Sequence, residues 1–172
     1  MRINGENMNI TLIGMPGAGK STVGVLLAKS TLMDFTDTDL LIQKKYSSSL
    51  CGLIEEYGEE GFKKIEEETI LSLTCSNTVI ATGGSAVYGE NAMKHLMDIS
   101  TVVYLKVPVR TLERRIKNIK TRGVVMKKGE SLSKLFERRS PLYEKYAHVT
   151  VDVSKLSAEE CVDEILKSIK NI

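Results

Sequence analysis

Gly14-Met15-Pro16-Gly17-Ala18-Gly19-Lys20-Ser21 fits the pattern G-x-x-x-x-G-K-[ST]. The apolar run Ile10-Thr11-Leu12-Ile13 precedes it, and a helix-like stretch, residues 22–29, follows. Strand, glycine loop and helix in that order are the setting in which a backbone turn cradles phosphate. The glycines let the chain turn tightly and aim N–H groups at phosphate oxygens. The helix N-terminus adds its positive end. Gly17, Ala18, Gly19, Lys20, Ser21 and Thr22 are therefore the candidate nucleotide-binding residues. Lys20 has the length and charge to reach the β- and γ-phosphates, and Ser21 carries a hydroxyl suited to Mg²⁺. A glycine-rich turn that binds nothing is the alternative; the filled fixed positions and the correct flanks argue against it.

A chain of 172 residues reads as one domain, long enough to bury a substantial core. Apolar residues make up 42% and charged residues 27%, ordinary values for a soluble globular protein. No apolar run is long enough for a membrane helix. Residues 1–8 read as a loose polar extension without a secretory signal, and Met8 is a candidate start. Cys51, Cys75 and Cys161 are odd in number and widely spaced, which predicts reduced thiols and a cytoplasmic protein. The net charge is only +2 and no basic tract is interleaved with aromatics, so nucleic-acid binding is not expected. No surplus apolar helix face is evident in the pattern, and a monomer is expected.

Outward from the loop the chain alternates strand and helix, the signature of an α/β fold. Strands are predicted over 9–14, 34–37, 77–82, 101–107 and 148–153. The third and fourth are short and rich in β-branched residues, as buried parallel strands are. Helices are predicted over 19–32, 39–46, 50–56, 59–75, 89–98, 109–118, 132–146 and 157–170. Glu59/Lys63 and Glu60/Lys64 are i,i+4 pairs that support the fourth of these. Ser157 and Glu160 form a capping box at the last. Residues 120–131, with two glycines and a run of basic side chains, have no clear period; a mobile lid and an ordinary surface loop are both compatible with that composition.

Asp37-Thr38-Asp39 follows the second strand, where ligands of open α/β sheets lie. Two carboxylates beside a phosphate loop suit two tasks: one to hold Mg²⁺, the other to orient and deprotonate an attacking hydroxyl. The bland alternative has Asp39 capping the next helix and Asp37 as a solvated turn residue. Thr82-Gly83-Gly84-Ser85 follows the third strand, and paired glycines allow close approach to a ligand or simply a tight turn. Arg138-Arg139-Ser140-Pro141-Leu142-Tyr143 places arginine, whose planar fork clamps carboxylates and phosphates, just before a proline. Arg114-Arg115 reads by default as a solvated helix face.

Taken in order, these pieces resemble the shikimate kinases over nearly the whole chain from Asn9 onward. The family's landmarks are a phosphate loop, D-[ST]-D, F-R-x-x-E, G-G-G, a lid R-P-L and R-x-P-x-Y. Here they read Gly14 to Ser21, Asp37-Thr38-Asp39, Phe62-Lys63-Lys64-Ile65-Glu66, Gly83-Gly84-Ser85, Arg122-Gly123-Val124 and Arg139-Ser140-Pro141-Leu142-Tyr143. The resemblance implies a three-layer α/β/α sandwich with a five-stranded parallel sheet and a lid. It implies transfer of the ATP γ-phosphoryl group to the 3-hydroxyl of shikimate, with Mg²⁺ as cofactor and no nucleic-acid or membrane partner. Lys20, Asp39 and Arg122 would be catalytic, and Ser21 and Asp37 would hold the metal. Arg115 would lie near the adenine. Asp39, Lys63, Gly83, Gly84, Ser85 and Arg139 would bind the acceptor. Three departures fall on the acceptor side: Lys63 for arginine, Ser85 for glycine and Gly123 for proline. An ammonium cannot make a planar bidentate clamp. A kinase of this type acting on another small hydroxy acid, such as homoserine or gluconate, therefore stays open.

Overall fold

The structure, a computed structural model, describes residues 8–116, 123–127 and 129–171. Five strands, β1 (Asn9–Ile13), β2 (Asp34–Asp37), β3 (Thr78–Ala81), β4 (Ser100–Lys106) and β5 (Val149–Asp152), form one parallel sheet in the order β2-β3-β1-β4-β5. The helices are α1 (Lys20–Thr31), α2 (Thr38–Tyr46), α3 (Leu50–Leu71), α4 (Glu90–Ile99), α5 (Val109–Arg115), α6 (Leu132–Tyr146) and α7 (Ala158–Ile169), with a short 3-10 turn at Ala86–Tyr88. The crossover through α1 runs one way across the sheet and the crossover through α4 runs the other. Because parallel crossovers are right-handed, this puts helices on both faces. The predicted α/β sandwich is the fold observed.

β1 is central and all five of its residues are buried, as expected of a strand covered on both faces. Asn9 ties its start in place: its amide donates to the carbonyls of Cys75 (2.9 Å) and Ile99 (3.0 Å), and its Oδ1 accepts from the Thr78 N–H (2.9 Å). The main core lies on both faces of the sheet, from Ile10 and Leu12 to Ile165. A second, small cluster of Ile42, Leu53, Phe62, Ile65 and Val125 sits under α2 and α3. Its last member belongs to the basic stretch expected to be a lid, so that part of the stretch is packed down rather than standing free.

The element boundaries shift in instructive places. The helices expected over 50–56 and 59–75 are one element with a kink at Gly58 (φ 71°, ψ 174°), a conformation only glycine adopts readily. Lys63 pairs with Glu60 at i,i+3 (2.6 Å) rather than with Glu59 at i,i+4. α5 closes at Arg115, short of the predicted 118, and residues 117–118 lie outside the described residues. α6 continues through Pro141. Residues 1–7 lie outside the described residues, but Met8 is not loose: it packs against the core and its sulfur accepts from the Thr101 hydroxyl (3.3 Å). The predicted capping box at Ser157 is present. Among the described residues no helix is long and apolar enough to cross a membrane.

Candidate active site

The carboxyl ends of β1, β2 and β3 carry Gly14 to Ser21, Asp37-Thr38-Asp39 and Thr82 to Ser85, so sequence segments far apart meet at one edge of the sheet. There they border a cleft of about 520 Å³. Gly19 stands in the left-handed region (φ 98°) directly ahead of α1, which turns the helix N-terminus toward the cleft. Lys20 is buried, and its ammonium donates to the carbonyls of Gly14 (2.8 Å) and Met15 (3.0 Å). Burial lowers its pKa to about 8, with Arg139 adding to the effect and the carboxylates of Asp39, Asp37 and Glu66 opposing it.

Asp37 performs two tasks with its two oxygens. Oδ1 accepts from the N–H groups of Asp39 (3.0 Å) and Leu40 (3.3 Å), so Asp37, not Asp39, caps α2. Oδ2 accepts from the Ser21 hydroxyl at 2.6 Å. Asp39 is thereby left facing the cleft. Its pKa is raised to about 6, mainly by burial and further by the charge of Asp37, with Lys20 pulling the other way. Thr38 is fully buried between the two, and its hydroxyl accepts from the Gly83 N–H (3.2 Å), joining the aspartate element to the glycine turn.

Gly83 is glycine for a reason of space. A Cβ there would lie 2.1 Å from Glu66 Oε1 and 2.7 Å from Asp39 Oδ1. Glu66 is itself buried; Ser85 donates to its Oε2 at 2.6 Å, and Oε1 has no hydrogen-bond partner among the described residues. Burial raises its pKa to about 7; the Ser85 hydrogen bond works against the rise and Asp39 adds to it. Beside the glycine turn Arg139 is 0% exposed and has no ion pair among the described residues. Its Nε donates to the Tyr88 hydroxyl (3.2 Å) and its Nη2 to the Val125 carbonyl (2.8 Å). Tyr143 steadies the same turn by donating to the Gly84 carbonyl (2.7 Å) while stacking on Tyr104 (5.1 Å between centroids).

Of the residues singled out from the sequence, Gly17, Gly19, Lys20, Ser21, Thr22, Asp39, Gly83, Gly84, Ser85, Arg115 and Arg139 border this cleft. Ala18 is buried behind the loop. Asp37 opens onto an adjoining depression that shares Ser21 and Asp39 with the cleft. Lys63 is not on the cleft wall; its ammonium sits 2.6 Å from Glu60 and 4.8 Å from the centre of the Tyr88 ring. Arg122 lies outside the described residues. Glu66, Thr38, Tyr88 and Val125 were not assigned roles from sequence. For Glu66 a signal existed, since an ionisable residue four positions after Phe62 falls on the same face of α3.

The oxygen set at Ser21 and Asp37 suits Mg²⁺. This ion keeps waters and phosphate oxygens and takes only one or two protein ligands. Among the described residues no group of three or more His, Cys, Asp or Glu forms a self-sufficient cage.

Comparison with known proteins agrees with this arrangement. A family model described as shikimate kinase matches residues 16–170. The shikimate kinase of Vibrio cholerae is 36% identical over 168 residues, covering 96% of this chain and 97% of the relative. That of Paracidovorax citrulli is 37% identical over 155 residues, covering 87% and 84%. Among solved structures, shikimate kinase from Acinetobacter baumannii in complex with shikimate superposes with a TM-score of 0.89 at 32% identity, covering 96% of this chain and 95% of that one. A gluconokinase from Sinorhizobium meliloti shares the fold alone, with a TM-score of 0.62 at 20% identity. With the family's phosphate loop, aspartate element and buried arginine gathered around one cleft, and relatives matched over nearly their full length, the chain belongs to the shikimate kinase family.

Proposed function

We propose that the protein transfers the γ-phosphoryl group of ATP to the 3-hydroxyl of shikimate, releasing ADP and shikimate 3-phosphate on the route to chorismate and the aromatic amino acids. The observation that carries this reading is a single cleft faced by an anion cradle with its lysine, a carboxylate, and a fully buried arginine that has no ion pair among the described residues. A triphosphate, an alcohol and a carboxylate are the groups such walls complement. The acceptor is assigned from the relatives named above.

In the reaction the acceptor oxygen bonds to the γ-phosphorus, the bond from that phosphorus to the bridging oxygen breaks, and the hydroxyl proton passes to Asp39. Asp39 orients the hydroxyl and, at a pKa of about 6, is ionised at neutral pH yet basic enough to take the proton. Lys20 meets the transferring phosphoryl; with phosphate oxygens around it the ammonium regains the charge that burial disfavours. Ser21 and Asp37 would hold Mg²⁺, which supplies neutralisation of the charge on the phosphate oxygens. Arg139 grips the acceptor carboxylate, the Gly83-Gly84 turn lets the acceptor approach the backbone, and Arg115 flanks the adenine. Val124 and Val125 on the cleft wall support a lid role for residues 120–131, which keeps water from competing for the phosphoryl group. Arg122 keeps the role the resemblance gives it. The ATP requirement supports a cytoplasmic location.

A coupled ADP-release assay with shikimate, homoserine and gluconate tests this. Shikimate is expected to give the highest kcat/KM and to require Mg²⁺. ATP turnover that shikimate does not stimulate, or a higher kcat/KM with another hydroxy acid, overturns it.

A further inference from the structure

We propose that Tyr88, through its hydroxyl on Arg139 and its ring under Lys63, is a positioning residue that sets selectivity for the carboxylate of the acceptor. The proposal rests on the functional reading above, in which Arg139 receives that carboxylate.

Three cations converge on this one ring. The Lys63 ammonium lies 4.8 Å from its centre, the Arg139 guanidinium carbon 5.2 Å and the Arg138 guanidinium carbon 5.4 Å. Like charges repel, and an aromatic face is the neutral surface that offsets this through its quadrupole. Each cation is also held by something else. Glu60 holds Lys63, and Glu130 holds Arg138 at 2.7 Å. Arg139 differs: it is the most deeply buried of the three, no carboxylate pairs with it among the described residues, and its Nε and Nη2 donate to neutral oxygens, Tyr88 Oη and the Val125 carbonyl, with the Tyr143 hydroxyl also beside it. A buried guanidinium without a paired carboxylate is costly to maintain in a folded protein, and the cost is offset when an anion arrives.

The orientation of the guanidinium follows from its two fixed nitrogens. A planar fork with Nε held by Tyr88 and Nη2 held by Val125 has no rotational freedom left. The third nitrogen, Nη1, borders Gly84 on the cleft wall, where a Cβ would lie 2.9 Å from it. The Tyr88 hydroxyl, together with the Val125 carbonyl, therefore sets which edge of Arg139 the acceptor meets. The ring adds a second contribution by keeping Lys63, which takes the place of an arginine in the family pattern, beside the same residue.

The test measures kcat and KM for shikimate and for its uncharged methyl ester in wild type, Tyr88→Phe and Tyr88→Leu, with ATP saturating. Tyr88→Phe keeps the ring and loses the hydroxyl; Tyr88→Leu loses both. The expected result is a fall in the acid-over-ester preference of about tenfold in Tyr88→Phe and more in Tyr88→Leu, carried by KM for the acid. The KM for ATP stays unchanged. Equal losses for acid and ester, or an unchanged preference in Tyr88→Phe, overturn the proposal, and Tyr88→Phe decides alone if Tyr88→Leu does not fold. Wild-type protein with no shikimate-dependent ADP release overturns the functional reading, and the Tyr88 proposal with it; wild-type turnover with an unaltered preference overturns the Tyr88 proposal alone.

Discussion

Adding one methyl group at Gly83 should separate catalysis from folding in this protein. Gly83→Ala puts a Cβ 2.1 Å from Glu66 Oε1 and 2.7 Å from Asp39 Oδ1, both closer than carbon and oxygen approach without bonding. The backbone at Gly83 is not in the left-handed region, so crowding and not strain is the whole effect. Glu66 cannot move away freely, because it is buried and its other oxygen is held by Ser85 at 2.6 Å. Asp39 is partly exposed to the cleft and yields. Overpacking of this kind costs about 2 kcal/mol, or about 4–8 °C in Tm for a chain of this size. A catalytic group displaced by about 1 Å costs on the order of 10²-fold in rate. The variant should therefore remain folded at 25 °C by circular dichroism and lose about a hundredfold in kcat/KM for shikimate in a coupled ADP-release assay. Activity within threefold of wild type, with Asp39 unmoved in a crystal structure of the variant, would refute the reasoning.

Ser21→Ala removes both a metal oxygen and the partner of Asp37 Oδ2 (2.6 Å), so half-maximal activity should need about 10–100-fold more Mg²⁺, measured by titration at fixed ATP. An unchanged Mg²⁺ requirement would take Ser21 out of the metal site. The pH profile of kcat/KM for shikimate should fall below about 6 as Asp39 protonates, and that of kcat/KM for ATP should fall above about 8 as Lys20 of the nucleotide-free enzyme loses its charge; flat profiles from pH 5 to 9 contradict both assignments. Glu66 titrates near 7 when folded against 4.5 as an unperturbed group, so the folded state holds its proton more tightly. Its favourable contribution is complete below the unfolded pKa and is lost as pH rises through about 7. Glu66→Gln, which cannot ionise, should thus gain stability relative to wild type by on the order of 3 kcal/mol between pH 4 and pH 8 in urea melts, and equal pH dependence in the two proteins would show that Glu66 does not carry this term.

What the sequence made legible was local. The phosphate loop is contiguous, its glycines and lysine are fixed by backbone turning and anion charge, and the flanking strand and helix announce its setting, so the α/β fold could be read outward from eight residues. Gly58 broke the helical pattern where α3 kinks. The features that escaped depend on contacts between distant segments. Residue type alone leaves Asp37 and Asp39 interchangeable as caps; the resemblance separates them, and the bonds to Asp37 from the Asp39 and Leu40 N–H groups and from the Ser21 hydroxyl (2.6 Å) are what leave Asp39 facing the cleft. Lys63 occupies a motif position, yet a glutamate one turn before it captures its ammonium. Ser85 reads as a substrate contact, but its hydroxyl is committed to Glu66, a pairing across 19 positions that no periodicity reports. Val125 sits in a stretch whose composition suggests an exposed loop, and it is buried because α2 and α3 offer an apolar floor beneath it.

The central claim is that an alcohol presented by Asp39 receives the phosphoryl group of a nucleotide held at Lys20. Asp39→Asn tests it most directly, because the amide keeps the shape and removes the base. Calorimetry should find ATP affinity unchanged, and single-turnover kinetics with shikimate should find phosphoryl transfer slowed by about 10²–10⁴-fold. Transfer at the wild-type rate in that variant would contradict the account.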